Sequence, residues 1–133
     1  MGERLWIDGG AMTTKVLISL MHEQESFENS FKAIQECVHQ NAINHGWWEG
    51  ERDNGGLIAL IHSELSECLE ALRDGNPESE KIPGFCHAVE ELADAVIRAM
   101  DIAEARGWDL AGAIIAKAKH NIGRRMKHGG KLF

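Results

Sequence analysis

Between Leu57 and Arg106 the apolar residues recur every three or four positions in two runs. The strong breaks, Asp74-Gly75, Pro77 and Pro83-Gly84, fall between those runs. Such spacing belongs to helices, because residues three and four apart share a face. With 2 Pro, no Tyr and no long run of Val, Ile and Thr, the reading extends to the whole chain, which is expected to be all-α. The first helix is expected from about Phe27 to Asn44, ended by Gly46, and the second from Leu57 to Arg73. The third should run from Phe85 to Arg106, closed by Gly107, and the fourth from Leu110 to Arg125 behind Asp109 as N-cap. Residues 25–133 then form one four-helix, bundle-like domain. Residues 1–24 are an N-terminal extension, expected to be poorly ordered in part, in which residues 1–11 carry no pattern.

Each of the two central runs holds a pair of carboxylates three residues apart, Glu64 with Glu67 and Glu91 with Asp94. At about 100° per residue, Leu57, Ile58, Ile61, Leu65, Cys68, Leu69 and Leu72 form the apolar side of the second helix. Val89, Leu92, Val96, Ala99, Met100 and Ala103 form that of the third. The paired acids edge those stripes, whereas Glu70, Glu90 and Glu104 read as solvated surface. Like charges crowded near a core are costly unless a counter-charge meets them, and for four acids on two helices a hard divalent cation is the usual one. A metal site is the leading expectation.

Cations gather at the other end of the chain. Lys117, Asn121 and Arg124 are spaced for one side of a helix, with Lys119, Arg125, Lys127, His128 and Lys131 close by. Some of these cap the helix dipole. In a chain of net charge −7 the concentration also suits phosphate, gripped by Arg through a fork and by Lys as a point charge. The His128-Gly129-Gly130-Lys131 tail, not expected to be helical, lets backbone N–H groups approach such an anion. Trp47 and Trp48 sit in a Gly-rich connection, where one indole is expected to pack and the other to be free to stack on a planar ligand such as a base.

The acidic balance argues against nucleic acid polymers and anionic membranes as partners. No segment is apolar enough to span a bilayer, and the N-terminus lacks the pattern of a signal peptide. Cys37, Cys68 and Cys86 lack metal-ligand spacing and read as reduced thiols lining the core of a cytoplasmic protein.

Taken together, ExxE on the second helix, ExxD on the third and KxxxNxxR before HGGK resemble the MazG-like, all-α nucleoside triphosphate pyrophosphohydrolases, over roughly residues 27–131. The resemblance implies a Mg²⁺-dependent enzyme, with Mn²⁺ as a possible substitute, that converts a ribo- or deoxynucleoside triphosphate to the monophosphate and pyrophosphate. Glu64, Glu67, Glu91 and Asp94 would hold the metal, and Lys117, Asn121, Arg124 and Lys131 the phosphates. Glu64, nearest the apolar face, is a candidate base, with Glu67 beside it in the catalytic pair. Relatives of this kind often carry proline after the arginine, where this chain has Arg125. Ile97 and Ala93, turned away from the main stripe, leave more apolar surface than one chain covers. That and the resemblance point to a homodimer or homotetramer. The competing readings are a different phosphoanhydride hydrolase or phosphatase, a non-catalytic nucleotide or metal sensor, and a di-iron bundle. The last ranks lowest, because neither acid motif ends in His.

Overall fold

The computed structural model describes residues 4–124, with side chains from residue 13 onward. The chain is all-helical there, with α1 (Arg4–Asn44), α2 (Asn54–Arg73), α3 (His87–Arg106) and α4 (Leu110–Ile122). Among the described residues there is no strand, only an isolated bridge between Glu78 and Cys86. Helix α1 begins far ahead of the expected Phe27. Residues 13–26 hold no Pro or Gly to stop a helix, and Val16, Ile18 and Met21, all exposed, scatter around it, so no stripe announces it. Helix α4 is shorter than expected. It stops at Ile122 before Gly123, so Arg124 lies past its end. The expected tail 128–131 is outside the described residues.

The chain divides into two compact units. One consists of Met1–Lys32 with Asp109–Phe133. Within it Lys119 donates to Gln24 Oε1 at 2.6 Å and Lys32 meets Asp109 at 3.5 Å, tying α4 to the first part of α1. Asp109 also caps α4 by accepting from the Gly112 N–H.

The other unit, Ala33–Trp108, is built on an antiparallel pair, α2 and α3. Asp53 starts α2 by accepting from the Gly56 N–H at 2.8 Å, and Gly107 at φ 67° ends α3 in the left-handed conformation. The connecting loop is strapped down. Asn76, itself left-handed at φ 52°, accepts from the Ala88 N–H at 2.9 Å. Ser79 donates to Glu90 and accepts from the backbone N–H groups of Lys81 and Ile82. Lys81 pairs with Glu90 at 2.8 Å. The expectation that Glu90 is solvated surface is therefore wrong: the loop folds over it and leaves it buried. Glu104, likewise read as surface, is only half-exposed and accepts from buried Gln35 at 2.8 Å.

The core of this unit is made of small side chains. Ala71, Ala88, Ala95, Ala103 and Cys68 are buried, with Leu57, Met100 and Ile102 as the larger members. Of the stripe expected to be the core, Leu57, Cys68, Met100 and Ala103 do lie inside, but most of the rest does not. Ile58, Leu65, Leu69 and Leu72 of α2 and Val89, Leu92 and Val96 of α3 are between 40% and 54% exposed. The two helices meet instead through the flank that carries the acids. Periodicity identifies a shared face correctly; it does not say what that face meets. Among the described residues no helix is long and apolar enough to cross a membrane.

Candidate metal centre

Helix pairing through the alanine-rich flank brings the motif acids together. Glu64 is 6% exposed, Glu91 1%, Asp94 half-exposed and Glu67 open to solvent. One carboxylate oxygen each from Glu64, Glu67 and Glu91 lie within 4.8 Å of one another. Asp94, one turn beyond Glu91, is outside that trio. Each oxygen has a different situation. Glu64 Oε1 accepts from Arg98 Nε at 2.5 Å. Glu67 Oε1 has only the Ser63 hydroxyl, at 3.5 Å. Glu91 Oε1 meets His87 Nε2 at 2.9 Å, and Glu91 Oε2, buried, has no hydrogen-bond partner.

An unpaired buried carboxylate oxygen is expensive. Burial is the main reason the Glu91 carboxyl is pushed up from its ordinary pKa, with Glu64 and Glu67 adding to the push while His87 and Lys81 oppose it. Asp94 is raised too, first by burial and then by Glu64, against Lys81 and Arg98. These are the electrostatics of a place short of positive charge. A proton or a cation relieves it.

His87, Glu90 and Glu91 also bring ligand atoms within 4.8 Å. Glu90 is already neutralised by Lys81 and hydrogen-bonded by Ser79, and its pKa is lowered for those reasons. The oxygen-only trio is thus the better cation site. His87 went unremarked in the sequence, although four residues before Glu91 is a same-face spacing on a helix.

The two tryptophans separate in role. Trp48 donates to both carboxylate oxygens of Asp101, at 2.9 and 3.2 Å. His39 shares that carboxylate at 2.7 Å, and the guanidinium groups of Arg52 and Arg106 lie over the indole at 5.1 and 5.8 Å. Trp48 therefore pins the α1–α2 connection to α3, and its faces are taken. Trp47 is 58% exposed and lines a cavity of about 450 Å³ with Asn41, Arg52, Asp94, Ile97 and Arg98. Asp94 and Arg98 join this cavity to the acid cluster. Of the phosphate-contact candidates singled out in the sequence, Lys117 and Asn121 are exposed on α4, Arg124 is exposed just past it, and Lys131 is outside the described residues.

Compared with family models, curated proteins and solved structures, the chain matches none.

Proposed function

We propose that this chain is a Mg²⁺-dependent nucleoside triphosphate pyrophosphohydrolase of the MazG-like kind, cutting its substrate between the α- and β-phosphates. The observation that carries the reading is the approach of carboxylate oxygens of Glu64, Glu67 and Glu91 to within 4.8 Å of one another, with one buried oxygen of Glu91 left without a partner. A donor set made only of carboxylate oxygens suits a hard cation such as Mg²⁺, with Mn²⁺ as substitute. Glu64, Glu67 and Glu91 would hold it, with Asp94 beside them. When bound, such an ion supplies charge neutralisation at phosphate oxygens and acidity to water.

The residues divide the remaining work. Glu64 is buried and Glu67 open to solvent, so Glu67 is the acid of the catalytic pair that water reaches, and the oxygen it does not give to the ion would accept the proton of the attacking water. Water attacks the α-phosphorus, the bond to the bridging oxygen breaks, and pyrophosphate leaves. Little covalent help is needed in such a step, only position and counter-charge. Trp47 stacks on the base in the cavity, and Asn41 offers it polar contacts. Phosphate contacts are assigned to Lys117, Asn121, Arg124 and Lys131 on the strength of their pattern in the sequence.

The same reading makes the protein a homodimer closed over the exposed aliphatic face of α2 and α3. Fully burying a Leu or Val contributes about 1.5–3 kcal/mol; these side chains are already about half covered, so closing the face would add on the order of 1 kcal/mol apiece.

The test is pyrophosphate release from a panel of ribo- and deoxynucleoside triphosphates, with Mg²⁺ and with EDTA. Metal-dependent pyrophosphate from at least one of them is the expected result. Orthophosphate in its place would make the protein a phosphatase, and binding without turnover a sensor.

A further inference from the structure

Arg98 occupies a position that neither the acid motifs nor the basic tail accounts for. It sits one turn after Asp94 on α3, and the residue borders two places. Its Nε donates to Glu64 Oε1 at 2.5 Å, while the same side chain, about one-third exposed, lines the cavity that holds Trp47. Arg98 is therefore the cation standing in the acid cluster, and the trio's one wholly unpaired buried oxygen, Glu91 Oε2, marks where its charge does not reach. A divalent ion taking Glu64, Glu67 and Glu91 as ligands competes with Arg98 for Glu64 Oε1, since one oxygen cannot fully serve both. The displaced guanidinium has the cavity to turn into, where Asp94 and Asp101 are the acid walls and Arg52 a second cation. Arginine there presents a planar fork suited to phosphate oxygens.

Resting on the metal reading above, we propose that Arg98 is a resident counter-cation that yields Glu64 to the metal and then grips the phosphates of the incoming ligand in the cavity. Metal arrival and anion binding are thereby coupled: the ion frees the residue that the anion needs.

Two readouts of opposite sign test this in the full chain. Calorimetric titration with Mn²⁺ alone compares the wild type with Arg98→Gln and Arg98→Lys. Removing the competitor should tighten Mn²⁺ binding by on the order of tenfold in Arg98→Gln. Arg98→Lys, which keeps the charge but loses the fork, should fall between that variant and the wild type. At saturating Mg²⁺ the KM for a hydrolysed triphosphate should rise by at least about tenfold in Arg98→Gln. A residue that merely buttresses the helix pair would loosen metal binding on removal, not tighten it. Unchanged or weaker Mn²⁺ affinity in both variants, with helicity retained, overturns the proposal. So does an unchanged KM. Should Arg98→Gln fail to fold, Arg98→Lys alone decides on the same two readouts. A wild-type chain that takes up no Mn²⁺ overturns the underlying metal reading as well, so the two failures are told apart.

Discussion

Glu91 is a carboxylate enclosed by the fold with one oxygen unmatched, and its titration is the most direct way to see the cluster without any ligand. Its folded pKa lies above its ordinary value, so folding favours the protonated acid. The stability this contributes is complete below the ordinary carboxylate pKa and is lost as pH rises through the folded value. Asp94 acts with the same sign. Glu90 acts with the opposite sign. Held down by Lys81 and Ser79, it loses its contribution only as pH falls through its depressed value. The metal-free protein should therefore gain Tm as pH is lowered from neutrality through the raised Glu91 value toward the ordinary carboxylate range. Added Mg²⁺ should reverse that slope, because binding requires ionised acids. In Glu91→Gln the apo slope should flatten, the metal-free protein should gain about 1 kcal/mol, and the Mg²⁺-induced rise in Tm should vanish. Thermal melts across that pH range check all three, and an unaltered slope in the variant would sink the account.

The α2–α3 hairpin sets which acids meet, and the loop between the helices sets the hairpin. Ser79 is its knot, buried and bonded on three sides. Ser79→Ala should cost about 1–3 kcal/mol, because two backbone N–H groups and Glu90 lose a partner together. Urea unfolding measures it, and a loss below about 0.5 kcal/mol would mean the strap is slack. Much of this element was legible beforehand. Asp74-Gly75, Gly107 and Asp109 mark true helix ends, and the paired acids do lie on facing flanks. The strap was not legible, because Ser79, Lys81 and Glu90 are joined across a turn that helical spacing cannot register. Nor was the exchange of faces. Alanines 71, 88 and 95 let the backbones approach closely on the acidic flank, and nothing in a period of 3.6 says that small residues will take the interior from leucines. The pairing of Trp48 with Asp101 and His39 was hidden for the same reason, since its members are far apart in sequence.

At the scale of the molecule, seven aliphatic side chains of α2 and α3 stay exposed while mostly small ones are enclosed. Exposed aliphatic side chains gathered on one side of a helix pair are what the proposed dimer would cover. Leu69→Lys combined with Leu92→Lys should convert a wild-type dimer to a monomer in light scattering after gel filtration, and a wild type that is monomeric at micromolar concentration would refute the dimer. The modest alanine core has a consequence for the protein's life in a cell. On the dimer reading, a chain that needs a twin to cover this face is only as durable as its own abundance allows. Newly made copies at low expression meet proteases before they meet each other, so turnover should slow as synthesis rises, and the supply of the protein becomes part of what preserves it.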